Sequence, residues 1–293
     1  MELENYSTSA KLKANAKDIN KAIMQMGGYA AEEEMPETTP LYIRLRAKLA
    51  SGSTCYSNTI QTTVKPYFAV LVAADPELWY LIGACVGDGS WGSAIGTAVY
   101  PMSPVEGGDF NDETGRGPLT FTGYFTPDLG FKIVRVPGEW ADQWGGVDGS
   151  IDNPKRKDDS GEGGDFKVPV AGYYRIDLNT NTNELKFTAL EEDPKEYSQM
   201  LVSGGFNGWA TDVQMTPCDT YAGARPHVWM YDISTTDGTE LKFLVDSSWN
   251  PNWGNSTFPY GWGVGNGPNI PVGAGDYRVI FNDITGYYHF FNK

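Results

Sequence analysis

The chain is short of the residues on which most enzymes and nucleic-acid binders depend. It has two histidines, His227 and His289, far apart in sequence. No Gly-x-Ser-x-Gly, His-Glu-x-x-His or Walker run is present, so spacing singles out no catalytic residue. Carboxylates are many, but none stands out as the close pair that a glycosidase needs. Basic residues are few: 22 Lys+Arg against 37 Asp+Glu give a formal net charge of −15. An acidic chain without a basic run is unsuited to nucleic acid and to an anionic membrane surface. The three cysteines, Cys55, Cys85 and Cys218, are odd in number and lack metal-ligand spacing. They read as buried or semi-buried thiols, and neither metal nor cofactor is expected. No apolar run approaches the roughly 20 residues of a membrane-spanning helix. The start, Met1-Glu2-Leu3-Glu4-Asn5, has neither a basic nor an apolar leader segment. That leaves either a cytoplasmic protein or an exported one whose front end is missing.

Turn residues and aromatics are plentiful. The 293 residues include 35 Gly and 18 Pro, with 9 Trp, 17 Tyr and 13 Phe. Hydrophobic residues make up 40 %, enough to build cores. Residues 1–67 read as one unit. Asn15 to Met26 has helical spacing, with Ile19, Ile23 and Met26 on one face and Gly27-Gly28 as the stop. Leu41, Ile43, Leu45, Ala47 and Leu49 alternate like a strand with one buried face. A second strand spans Ile60, Thr62 and Val64. Two strands and a helix cannot close a core, so this unit reads as the back part of a β-sandwich.

The remainder is an internal repeat. Leu81 to Trp91 parallels Val202 to Trp209. Gly130 to Trp140 parallels Glu240 to Trp249, and a second Trp follows four residues later in both, Trp144 and Trp253. Val170-Ala-Gly-Tyr-Tyr-Arg-Ile176 parallels Gly273-Ala-Gly-Asp-Tyr-Arg-Val279. Each copy closes on a hairpin, and a charged, Pro-broken linker, Glu191 to Tyr197, joins them. Each copy is about a hundred residues of short alternating strands, the pattern of an immunoglobulin-like sandwich. Asp177-x-Asn179-x-Asn181 looks like the start of a calcium loop, but Thr182 and Thr188 stand where Gly and Glu are required. It reads as a hairpin turn.

Trp140/Trp144 and Trp249/Trp253 fall in loops rich in Gly, Asn and Asp. A loop aromatic is either tucked under as a plug or displayed. A displayed indole presents the π-face on which the C–H face of a sugar ring stacks, with flanking polar groups for the hydroxyls. The residues leave both readings open. Neighbours of the right kind are present: Asn250, Asn252 and Asn255 near one pair, Glu139, Asp142 and Gln143 near the other. Strand alternation puts Lys242 on the outer face of its strand, toward the same region. Trp79 and Trp229, within strand-like runs, read as core.

Gly205-Phe-Asn-Gly-Trp209, Leu241-Lys-Phe-x-Val-Asp-x-x-Trp249 and Asn269-Ile270 together resemble the glycogen- and starch-binding modules. The resemblance implies an α-glucan site at Trp209, Lys242, Trp249 and Asn269, with Trp253 extending the platform. In the first copy it implies a less complete site at Trp91, Lys132, Trp140 and Trp144, with Asp165 where the Asn would stand. The whole chain resembles the SusE/SusF family of surface glycan-binding lipoproteins. That implies an all-β chain in which a partial N-terminal immunoglobulin-like domain, 1–67, precedes two carbohydrate-binding modules, 68–192 and 198–293. It also implies non-catalytic capture of a polysaccharide at the outer-membrane surface, beside a TonB-dependent importer and a partner lipoprotein. The signal and lipid-accepting Cys of that family are not in this chain, so lipid anchoring would belong to a longer form. A different glycan on the same fold, a structural spacer with packed Trp residues, and a glycosidase are the competing expectations.

Overall fold

The computed structural model describes residues 15–48, 54–69 and 73–293. Leu49 and the opening Met1 to Asn5 lie outside the described residues. The chain forms two compact units, Met1–Ala74 and Asp75–Lys293.

In the first unit one helix spans Ala16–Gly27. Asn15 caps it by accepting a hydrogen bond from the Lys17 backbone N–H, and Gly28, at φ 70°, ends it in the left-handed conformation open to glycine. Asn20 and Met24, one turn apart, face the segment at Tyr67 and Ala69, whose backbone N–H groups donate to them. Ile23 is buried as expected, but Met26 is 60 % exposed, because the packed face runs through residues 20, 23 and 24. Thr39–Ile43 pairs antiparallel with Ile60–Val64, and Arg46–Lys48 with Thr54–Tyr56. The expected buried face is not formed. Leu41 is half-buried, and Ile43, Leu45 and Ile60 are exposed, since among the described residues each ribbon has only two strands and no second layer covers it.

The second unit is all β. Its first half holds a five-stranded sheet in the order Pro154–Arg156, Gln143–Gly146, Phe131–Val134, Tyr80–Gly83 and Val99–Pro101. Facing it is a four-stranded sheet ordered Glu184–Ala189, Gly172–Asn179, Pro118–Phe125 and Ser103–Pro104. Leu81, Phe131 and Ile133 of one sheet meet Phe121, Ile176 and Leu178 of the other in a single core. The second half repeats the plan. Leu201–Gly204, Thr239–Leu244 and Asn252–Gly254 occupy the places of Tyr80–Gly83, Phe131–Val134 and Gln143–Gly146. Val228–Thr235, Gly275–Asn282 and Tyr287–Asn292 make the facing sheet with its closing hairpin. Trp79 and Trp229 are buried in these cores, as their strand context implies. The Asn179 turn is a hairpin turn, its side chain accepting from the Asn181 and Thr182 backbone N–H groups.

The two halves share packing. Cys218, Val228 and Ile280 of the second half belong to the core of the first, and Tyr80 packs against Phe291. A buried polar chain crosses between them: the Tyr173 hydroxyl bonds His227 Nε2 at 2.9 Å, and His227 Nδ1 bonds Asp283 at 2.6 Å. Asp283 also accepts from the Trp229 indole. Tyr100 donates to Asp219 at 2.6 Å, Trp262 to the Ser103 hydroxyl, and Asn282 to the Thr122 carbonyl. Each of the polar side chains in these cross-junction contacts is thus met by a partner. Cys85 and Cys218 are buried free thiols, whereas Cys55, on its uncovered ribbon, is exposed. No helix among the described residues is long and apolar enough to cross a membrane, and no group of three or more candidate metal ligands occurs among them.

Candidate functional site

The repeat brings tryptophans together in pairs that the linear spacing did not name as neighbours. Trp209 and Trp249 have ring centroids 6.1 Å apart with planes tilted by 45°. In the first half Trp91 and Trp140 are also 6.1 Å apart, tilted by 42°. Trp91, Trp209 and Trp249 are half-buried, and Trp140 is 39 % exposed.

Three of these four residues hold left-handed backbone: Trp91 at φ 58°, Trp209 at 63° and Trp249 at 58°. For a bulky side chain that conformation costs roughly 1–2 kcal/mol, and such outliers persist where surrounding structure over-determines them, often at binding sites. The restraints are visible. A short turn, Gly205–Asn207, precedes Trp209, whose N–H donates to the Gly204 carbonyl. The Asn207 side chain ties the ends of this turn, accepting from Gly204 N–H and donating to the Ala210 carbonyl. Ahead of Trp91 and Trp249, Asp88 and Asp246 accept from the Ser90 and Ser248 N–H groups in matching turns.

Under each loop lies the same amide. Gln143 donates to the Trp140 carbonyl at 2.9 Å and accepts from the Lys132 ammonium at 2.9 Å. Asn252 donates to the Trp249 carbonyl at 2.6 Å and accepts from Lys242 at 3.1 Å. Asn252 also donates to Asn266. Gly145 and Gly254, two positions on, pass beneath a crossing loop. A Cβ there would stand 2.3 Å from the Gly164 carbonyl oxygen in one half and 2.0 Å from that of Pro268 in the other.

The lysines divide. Lys132 is 7 % exposed, and its ammonium also donates to the Gly163 carbonyl at 2.8 Å. It therefore braces Gln143 and does not reach a ligand, which corrects the expectation that it faces the site. Beside it, Glu162 bonds Lys157 at 3.0 Å, and that hydrogen bond, helped by Lys132, holds its carboxyl below the usual range. Lys242 is only half-buried and has donors to spare beyond Asn252. Asn269 lies at the head of the Ile270–Val272 strand and donates to Glu240 at 2.9 Å, outside the Lys242–Asn252 network. Asp165 is exposed.

Trp144 and Trp253 do not join the pairs. Trp144 is 5 % exposed within the first core, and Trp253 packs against Phe281 and Tyr197. Both follow the bracing amide on a strand paired with the Lys strand, so alternation turns them inward. The display expected of Trp144 is overturned for that reason, and Trp253, half-buried, packs toward the core without joining the Trp209/Trp249 pair. Asp142 and Asn255 are engaged as well, with Arg156 and the Trp262 carbonyl. Gln143 and Asn252 were noted only as polar neighbours of the Trp pairs. The signal for their role was their identical place, one residue before the inward Trp in both copies.

Fold and site together define an all-β chain with two β-sandwiches, each carrying a tilted pair of tryptophans on braced loops. No protein-family model and no curated protein matches the chain. Among solved structures it is similar to SusF from Bacteroides thetaiotaomicron, at 15 % identity and a TM-score of 0.28. That weak likeness covers 99 % of this chain and 65 % of the SusF chain, and it bears on neither site nor ligand.

Proposed function

We propose that this is a non-catalytic glycan-binding protein that captures a polysaccharide, an α-glucan such as starch, through two sandwich modules, 68–192 and 198–293. The observation that carries the reading is the duplicated Trp pair, with nearly the same separation and tilt in both halves. Rings tilted by 42–45° suit consecutive sugar rings that turn along a curved chain, whereas a flat β-linked ribbon favours coplanar rings. Trp209 and Trp249 form the stronger platform, with Lys242 and Asn269 at hand for hydroxyls. Trp91 and Trp140 form the other, with Lys132 as a brace. Packed tryptophans would favour a spacer, and the exposure of Trp140 speaks against that. Surface display beside a TonB-dependent importer and a partner lipoprotein belongs to this proposal through the family resemblance.

The test is native affinity electrophoresis in gels containing amylopectin, glycogen, dextran, xyloglucan or mixed-linkage β-glucan. Retardation in amylopectin and glycogen is expected, with Trp249→Ala and Trp140→Ala each weakening it. Loss of one stacking aromatic should cost about 1–3 kcal/mol, by analogy with other ring stacking. Retardation only in another gel would overturn the α-glucan assignment. Unchanged binding by both variants, with the fold intact, would overturn the platforms, and release of reducing ends would overturn the non-catalytic reading.

A further inference from the structure

A cleft of about 980 Å³ opens in the second half beside Trp209. Phe206 and Trp209 give it an aromatic wall, and Ser234, Asp237, Glu240 and Asp276 supply hydroxyl and carboxylate groups. It is continuous with the platform at two points. Trp209 lines the cleft and also pairs with Trp249. Glu240 lines the cleft and also holds the Asn269 amide. The size lies within the range of small-molecule sites, and an aromatic wall set against convergent acceptors is the arrangement that orients a polyhydroxylated ligand. Carboxylates accept hydrogen bonds from sugar hydroxyls more strongly than neutral groups do. Three of them in one cleft also repel uronic-acid or sulfated chains.

We infer that this cleft is a second subsite, which takes the neutral sugar residues of a chain as it runs off the Trp209/Trp249 platform past Trp209. The inference rests on the glycan-binding reading above and deepens it. The second module then reads a longer stretch of chain than its two tryptophans cover.

The experiment uses the full chain carrying Trp140→Ala, which silences the first platform at an exposed position. Isothermal titration with maltotriose and maltoheptaose is compared with and without the pair Asp237→Ala and Asp276→Ala. Neither aspartate belongs to the Lys242–Asn252–Trp249 network. Maltoheptaose should bind the parent roughly tenfold tighter than maltotriose, about the worth of one charge-assisted hydrogen bond. The double variant should lose that length gain while keeping its maltotriose affinity. Equal affinity of the parent for both sugars, or a length gain untouched by the double variant, overturns the subsite and leaves the platform standing. Binding of neither sugar overturns the α-glucan reading on which the subsite rests. Thermal unfolding of the double variant within a few degrees of the parent confirms that the comparison is between folded proteins.

Discussion

Replacing Asn252 by alanine should disarm the second platform without touching either of its rings. Asn252 is 5 % exposed and makes three side-chain hydrogen bonds, to Lys242, to the Trp249 carbonyl and to Asn266. Left-handed backbone at Trp249 stores roughly 1–2 kcal/mol of strain. A hydrogen bond contributes about 1 kcal/mol net, and leaving its buried partner unsatisfied costs roughly 1–3 kcal/mol. Restraint and strain are therefore of similar size, and deleting the amide lets the loop relax. Trp249 would leave its position 6.1 Å from Trp209. Affinity of the second module should then fall by most of what Trp249→Ala removes, about 1–3 kcal/mol, or roughly 5- to 150-fold. Titration with maltoheptaose in the Trp140→Ala background reads this. Asn252→Asp is the companion variant: it keeps an acceptor for Lys242 but cannot donate to the Trp249 carbonyl, so it should lose binding while retaining more stability. If both variants fold and bind like the parent while Trp249→Ala does not, the amide does not hold the platform and the reasoning fails.

Two further outcomes concern stability. Burial raises the Asp219 carboxyl from 3.8 to about 6. The folded protein thus favours its neutral form, and the stabilisation is complete below about pH 4 and lost as pH rises through 6. Asp219→Asn keeps an acceptor for the Tyr100 hydroxyl and never ionises. Its unfolding free energy in urea should gain on the parent's by roughly 3 kcal/mol between pH 4 and pH 7.5, and a gap that stays constant with pH refutes this. Gly204→Ala would place a Cβ 2.1 Å from the Glu240 carbonyl oxygen, within a strand pair fixed by Gly204 opposite Leu241. It should cost about 1–3 kcal/mol as overpacking, seen as a lowered Tm, and should weaken binding by moving the turn that carries Trp209.

Much of this molecule could be read from its residues, because turn-bounded alternation and a repeat are local signals. The two copies, their hairpins and the core placement of Trp79 and Trp229 follow from period and spacing alone. The matched loop tryptophans, Trp140 and Trp249, were visible because each follows a Lys-bearing strand at similar distance. What was not legible depended on pairing. Residues 143–146 and 252–254 look like loop by composition, yet hydrogen bonding to the neighbouring strand makes them β and rotates Trp144 and Trp253 inward. Lys132 was expected at the site through its match to Lys242 in the repeat. Its burial comes from the loop at Gly163, which crosses above the sheet where Gly145 leaves room. Left-handed backbone at three tryptophans has no sequence signature, since it runs against the preference of the residue.

On the proposed function, the core shared by the two halves bears on how the two sites would meet a polymer. Two sites joined by a slack tether gain from each other only as far as the tether's statistics allow. Here Ile280 and Val228 sit inside the neighbouring half's core, and the Tyr173–His227–Asp283 chain is locked across the junction. On the proposed glycan-binding reading, the pair of platforms would act as a ruler with two fixed marks. A polymer whose turns come round at that spacing would be held at both with no further ordering of protein, and one whose turns do not would be held at one.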